Sequence, residues 1–240
     1  MLILLPPSEG KATEGDGPPL DLAGLSLPEL TRTRERVLTA LERLCAGRET
    51  RAREVLGLSP GQAGEIARNR ELRHAPTLPA SRLYTGVLYD NLGLADLDPD
   101  RVARSVLIFS GLWGALRVTD RVPPYRLAMG ARLPRLGALA AVWRPVLTGA
   151  LPAGGLIVDM RSAPYAAAWR PEAVRIRVFR EREGRRTVVS HMAKATRGAV
   201  ARALLSNAAD PTTPEELVKV LADLGYAAEL NGRDVDVIAD

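Results

Sequence analysis

Hydrophobic positions divide the chain into short apolar runs and longer helical periods. Leu2–Leu5 is unbroken apolar sequence that stops at Pro6-Pro7, so it reads as a buried strand entering the polar loop Pro6-Pro7-Ser8-Glu9-Gly10-Lys11. From Pro28 to Ala46 the apolar residues Leu30, Val37, Leu38, Leu41, Leu44 and Cys45 alternate with charge at a helical period, and Gly47 ends the pattern. Residues 51–70 predict two short helices around the turn Gly57-Leu58-Ser59-Pro60, with Ser59 placed to cap the second. Val106–Ser110, Leu156–Asp159, Val174–Phe179 and Thr187–Ser190 are β-rich, the last two joined by a hairpin around Glu183-Gly184. Asn231-Gly232, between Tyr226–Leu230 and Val235–Ile238, is the clearest two-residue hairpin signal. Helical periods fill 136–148, 193–208 and 214–224.

Helices and strands mixed throughout, without repeat or low-complexity linker, predict one α/β domain over residues 1–240 with a mixed, partly antiparallel sheet. The 28–75 segment is expected to form a helical subdomain on its flank. Apolar runs such as Met1–Leu5 and Val106–Phe109 fall far short of the roughly 20 residues that span a bilayer. The start lacks the basic region and the apolar length of a secretory signal, so a cytoplasmic protein without membrane partners is expected. A single cysteine, Cys45, excludes an internal disulfide and reads as core packing.

Composition changes this picture at one point. The net charge is +5, and of 33 basic side chains only Lys11, Lys194 and Lys219 are lysine. In a chain that supplies positive charge as arginine, Lys11 and Lys194 inside loop-like motifs are candidates for work that needs a compact, titratable amine. The ten aromatic residues are also few, and Tyr84, Tyr89, Trp113, Tyr125 and Tyr165 fall in the same motif-rich stretches.

Four stretches carry candidate chemistry. Ser8-Glu9-Gly10-Lys11 follows the first strand, where α/β proteins often place a site, and Lys11 there is a point charge for phosphate or carboxylate. It lacks the spacing of a Walker loop. Residues 110–130 contain Ser110, Trp113, Arg117, Asp120, Arg121, Tyr125 and Arg126, arginine forks with aromatic residues suited to a planar anion. Asp159-Met-Arg-Ser-Ala-Pro-Tyr165 ends a strand with a carboxylate, the Arg161 guanidinium and a hydroxyl, and Ser190–Gly198 places Lys194 and Arg197 near a helix start, where backbone N–H groups attract anions. Each stretch also has a structural reading. Ser8 and Glu9 can form a turn, Asp120 can cap one with Arg117 as its partner, Tyr125 can be a packed corner, and His191 a satisfied strand-end residue. Lys194 with Arg197 can be a solvated helix face, and the arginines of 51–73 ordinary surface.

His74 and His191, with no Cys-x-x-Cys or His-x-Glu, do not supply a zinc deaminase or protease site, and no metal ligands are assigned. G-x-G-x-x-G does not occur. What is left is general acid–base or ligase-like chemistry on an anionic substrate; no cofactor is assigned, and ligase-like chemistry would draw on ATP with Mg²⁺.

Leu5-Pro-Pro-Ser-Glu-Gly-Lys11, Tyr84-Thr-Gly86, Ser110-Gly-Leu-Trp-Gly-Ala-Leu-Arg-Val-Thr-Asp120, Pro124-Tyr-Arg-Leu-Ala-Met-Gly130 and Ser190–Gly198 strongly resemble the YaaA family of bacterial peroxide-stress proteins, in order and over nearly the full length. Two departures stand out. The enteric form has a Ser-Pro-Ala-Lys-Thr-like loop where Glu9 stands here, and Lys194-Ala-Thr-Arg-Gly keeps one lysine of a Lys-Lys-Ala-Arg-Gly end. The resemblance implies a single α/β domain with a positively charged cleft, a helix-hairpin-helix-like element matched by 51–73, DNA binding, and protection of DNA from oxidative damage. It also implies a connection with amination or hydroxyamination of purine nucleotides at the 6-position.

Two functions follow. As an enzyme, the protein would hold a purine nucleotide such as AMP through Ser8, Ser110, Arg117, Arg126, Arg161, Lys194 and Arg197, stack the base on Trp113 or Tyr125, and move protons with Glu9, Lys11, Asp120, Asp159 or Lys194. As a binding protein, the same cleft with Arg51, Arg53, Arg68, Arg70 and Arg73 would follow the backbone of double-stranded DNA.

Overall fold

The computed structural model of the chain describes residues 1–152, 154–182, 185–188 and 190–239. Its centre is an eight-stranded mixed sheet. The strands β1 (Leu2–Leu5), β3 (Val106–Ser110), β8 (Ile157–Asp159) and β9 (Val174–Arg182) lie in the order β9-β8-β1-β3 and run parallel. Antiparallel strands close the edges: β4 (Gly114–Leu116) beside β3, β10 (Arg185–Val188) beside the end of β9, and β11 (Ala227–Asn231) beside β12 (Asp234–Ala239), which itself runs parallel to β9. Two small pairs lie off this sheet, β2 (Leu78–Pro79) with β5 (Arg121–Val122) and β6 (Arg132–Leu133) with β7 (Gly137–Ala138).

The sequence accounts for this order. β1 and β3 are apolar at nearly every position, as strands covered on both faces must be, and every residue of β3 is buried. β9 instead alternates. Val174, Ile176 and Val178 face the core, while Arg175 and Arg177 lie opposite Asp234 and Asp236 of β12 in register and pair with them at 2.7 and 2.6 Å. The ion pairs let one face of this edge meet water.

Ten helices surround the sheet in the described residues. α1 (Thr31–Ala46) buries the apolar stripe read from the sequence and ends at Gly47; Cys45 is buried there. α2 (Glu49–Leu56) and α3 (Gly64–Arg70) pack against it, and the turn between them includes Ser59, whose N–H donates to the Gln62 side chain at 3.0 Å. After β2 come the one-turn α4 (Ala80–Leu83), then α5 (Val87–Leu92) and α6 (Pro99–Ser105). α7 (Leu139–Ala150) begins three residues later than the periodicity predicts, because 137–138 pair as β7; a single turn, α8 (Ala163–Ala166), follows β8. α9 (Ser190–Ser206) and α10 (Pro214–Asp223) complete the set. α9 and α5 meet at Gly198, where any Cβ would sit 2.2 Å from the Leu88 carbonyl oxygen.

Two boundaries differ from expectation. Asn231 pairs with Asp234, so the last hairpin turns on Gly232-Arg233, one residue later; Gly232 has φ +62°, the conformation its missing side chain permits. Ser190 and His191 begin α9 rather than end a strand. The Glu183-Gly184 turn and the side chains of Ser190 and His191 lie outside the described residues. No described helix is long and apolar enough to cross a membrane.

Candidate functional site

After β1 the chain passes to β3 on one side of the sheet and later returns to β8 on the other. The carboxyl ends of neighbouring strands separate at such a switch point and leave a crevice, which is where open α/β sheets bind ligands. Here the crevice is a cleft of about 600 Å³. Its walls are the Pro6–Lys11 loop after β1, Ser162 and Tyr165 after β8, Arg126–Ala128, and Lys194 and Arg197 of α9. Leu56 of α2 and Tyr89 of α5 complete the wall.

Lys11 is fixed by its backbone. It forms an isolated antiparallel bridge with Tyr84, flanked by Ala12 N–H to Leu83 O at 2.9 Å and Thr85 N–H to Gly10 O at 3.2 Å. Its Nζ donates to Ser8 O at 2.9 Å and lies 4.8 Å from the centre of the Tyr125 ring and 5.7 Å from that of Tyr84. Burial first, and then the neighbouring Arg126 cation, push the amine down to about 8, against the opposing pull of Glu65 and Glu9.

The rings beneath Lys11 are held by hydroxyl contacts. Ser110 Oγ accepts the N–H groups of Leu112 and Trp113 at 3.1 and 2.9 Å, so its own hydrogen points to Tyr125 Oη, 2.6 Å away. Tyr125 Oη meets Tyr84 Oη at 3.0 Å. Burial raises the pKa of both phenols well above the ordinary value, so they stay protonated. Arg126 is set from the other side. Asn69, fully buried on α3, accepts the Arg126 N–H at 2.9 Å and donates to its carbonyl at 2.8 Å. The Arg126 guanidinium pairs with the exposed carboxylate of Glu9 at the cleft. Arg197 donates through Nε to Ile176 O at 3.2 Å, and burial lowers its pKa. Lys194, one turn earlier on α9, is exposed.

Of the residues read from the sequence, Ser8, Glu9, Lys11, Arg126, Lys194 and Arg197 line this cleft. Tyr125 and Ser110 lie beneath it, and the others are engaged elsewhere. Trp113 is fully buried with its ring edge-on to Tyr125. Arg117 donates to the carbonyls of Ala103 and Arg104 at 3.2 and 3.0 Å, closing the end of α6. Asp120 accepts Ser26 N–H on one oxygen and Arg117 N–H on the other, both at 2.8 Å, which is the turn-capping role rather than a place in the cleft. Asp159 and Arg161 form a buried bidentate pair, with Nε–Oδ1 at 2.8 Å and Nη2–Oδ2 at 2.7 Å, stacked on Phe109.

The arginines of the helical flank mostly have partners. Arg51 pairs with Glu54 and Arg68 with Glu65, each at 2.7 Å, Arg70 donates to Cys45 O at 2.6 Å, and Arg73 bridges Glu35 and Glu42 at 2.6 and 3.0 Å. Arg53 is half-buried. Tyr89, Ser162, Tyr165 and Asn69 are the contributors that sequence reading leaves out of the site; Tyr89 Oη donates to Pro6 O at 2.8 Å and so pins the loop. Clustering of tyrosines in the motif stretches was the signal available for Tyr89 and Tyr165.

The occupancy of Asp120 has a measurable consequence. Asp120→Asn places an amide N–H₂ against one of two backbone donors and is expected to cost about 1–3 kcal/mol of stability. Thermal melts measure that cost, and ligand binding in the cleft at a temperature where the variant is folded should match wild type.

A family model described as "Peroxide stress protein YaaA" matches residues 1–231. A UPF0246 protein of Streptomyces coelicolor is 56% identical over 95% of this chain and 92% of its own length. One from Corynebacterium efficiens is 41% identical over 96% of each chain. A third, from Cereibacter sphaeroides, is 32% identical over 95% of this chain and 94% of its own. With a family match over almost the whole length and relatives covered over more than nine-tenths of theirs, the chain belongs to the YaaA family of peroxide stress proteins.

Proposed function

We propose that the cleft binds a purine nucleotide and that the protein modifies it, exchanging the exocyclic amine at the 6-position for an incoming nitrogen nucleophile. Lys11 is the observation that carries this reading. An amine packed on two tyrosine rings beside an arginine, with a pKa lowered to about 8, gives and takes a proton near neutral pH, which no arginine can do. Arg126, Lys194 and Arg197 give the same cleft cations for a phosphate, and Tyr89, Tyr165 and Leu56 an apolar wall for a base. In the exchange, the nucleophile's nitrogen bonds to C6 and the original amine leaves as ammonia. Lys11 takes the proton that the nucleophile sheds and returns it to the leaving nitrogen. The test is incubation with AMP or ATP, with and without hydroxylamine or ¹⁵N-labelled ammonia, read by mass spectrometry, with IMP and GMP, which carry a 6-oxo group and no 6-amine, as controls. A 6-hydroxyamino product or ¹⁵N incorporation is expected from AMP or ATP, and the absence of both would refute the reading.

One observation favours a second reading, a DNA-binding role in the peroxide-stress response. A groove of about 610 Å³ between α1 and Pro134–Leu136 is lined by Arg36, Arg43, Arg48, Arg51 and Arg135. All but Arg51 lack a carboxylate within salt-bridge distance among the described residues. Backbone binding there would weaken steeply with salt, whereas one nucleotide in the Lys11 cleft would respond far less.

A further inference from the structure

We propose that Lys11 is also a nucleophile, capturing small aldehydes or ketones that carry a phosphate or carboxylate as an imine within the cleft. The inference rests on reading the cleft as an anion site but concerns a different reaction.

Three features of the geometry support it. First, the amine has no carboxylate partner among the described residues; its acceptors are the carbonyls of Ser8 at 2.9 Å and Glu9 at 3.5 Å. Second, tyrosine rings replace water on one side of it, and Arg126 lines the same cleft as a second cation. Desolvation and a neighbouring cation are the two devices that free a lysine lone pair. Third, Arg126, Lys194 and Arg197 would orient an anionic group in the space the amine faces. The charged groups acting on Lys11 are Arg126 and Arg68, which oppose its protonation, and Glu65 and Glu9, which favour it. With burial the net result is a value of about 8, which leaves on the order of a hundredfold more free amine at neutral pH than an ordinary lysine has.

The step balances without an oxidant or a reductant. The Nζ lone pair bonds to the carbonyl carbon, and the π pair moves to oxygen, which takes up a proton. The carbinolamine then loses its hydroxyl with a proton as water, leaving the C=N bond.

The short list of amines makes the test clean. Besides Lys11 the chain has Lys194, Lys219 and the amino terminus, which is held by Asp210 at 2.9 Å. The full chain is treated with pyridoxal 5′-phosphate, reduced with borohydride and mapped by peptide mass spectrometry. The expected result is an adduct at Lys11 at least about tenfold over Lys194 and Lys219 at pH 7. Its yield should rise with a midpoint near pH 8. Inorganic phosphate should suppress it, phosphate-free pyridoxal should label it weakly, and Lys11→Arg, checked for folding by its melt, should lose it. Labelling spread over Lys194 and Lys219, or equal labelling by pyridoxal, would overturn the proposal. AMP separates the two readings. If AMP binds but Lys11 stays unlabelled, the nucleophile fails alone; if Lys11 is labelled and AMP neither binds nor protects it, the nucleotide fails alone.

Discussion

Lys11→Met is expected to abolish purine product formation, by about two to four orders of magnitude, and at the same time to make the protein more stable below pH 8. Both effects come from the same buried amine. Methionine keeps the length and the packing on Tyr84 and Tyr125 but carries no proton to exchange. In the unfolded chain a lysine stays charged up to its ordinary value of 10.5, whereas in the cleft it titrates near 8. Between those values the unfolded state binds a proton that the native state does not, so stability rises with pH through that window. Below it the native protein bears the cost of a charge in a partly desolvated site, at most on the order of 3 kcal/mol for a shift of this size. The variant should therefore melt several degrees above wild type at pH 7, and the two curves should converge as the pH approaches 10.5. A variant that melts lower than wild type at pH 7 would show that the Lys11 charge costs no stability, and one that keeps full product formation would show that Lys11 is not catalytic.

Arg161→Ala should have the largest cost in stability. It leaves the Asp159 carboxylate buried at the end of β8 without its two guanidinium bonds, and breaking such a pair from one side costs about 3–5 kcal/mol. It also removes the guanidinium stacked 4.2 Å from the Phe109 ring centre and its bond to Trp169 O at 2.9 Å. A fall in melting temperature of roughly 10 °C is expected. The physical cause can be separated from simple loss of packing. Asp159→Leu combined with Arg161→Met removes both charges together and should recover most of the loss, since a buried pair gains little over apolar residues of similar volume. If the double variant is as unstable as the single, the cost is not an uncompensated charge. Ser162 and Tyr165 follow directly in the chain and line the cleft, so the single variant should also weaken ligand binding.

What could be read from the sequence depended on how local its cause is. The Leu2–Leu5 strand and its loop follow from an apolar run meeting Pro6-Pro7, and the loop does line the cleft. The α1 stripe follows from periodicity alone. The roles of polar residues within the motifs did not follow, because a cap and a proton-transfer group use the same side chains. Asp120 looks like a catalytic carboxylate until Ser26, 94 residues away, is seen to donate to it. In sequence Asp159 looks like a proton-transfer group and Arg161 like a phosphate contact, but folding turns them toward each other. Asn69 carried no signal, because its partner is the backbone of Arg126, 57 residues on, and a backbone has no side-chain pattern to read. The arginines of the helical flank suggested a phosphate surface by composition, yet Glu35, Glu42, Glu54 and Glu65 engage three of them. The scarcity of lysine was the most useful compositional fact. It singled out Lys11 and Lys194, and both line the same cleft.

Calorimetric titration of AMP and of adenosine into the full chain, at two salt concentrations, tests most directly whether the Lys11 cleft is a nucleotide site. One AMP per chain is expected, binding at least about tenfold tighter than adenosine because the phosphate meets Arg126, Lys194 and Arg197. The dependence on salt should be shallow, and Arg126→Ala should lose that advantage. Equal affinity for adenosine and AMP, or no binding of either beside salt-steep binding of duplex DNA, would contradict it and move the function to the arginine groove along α1.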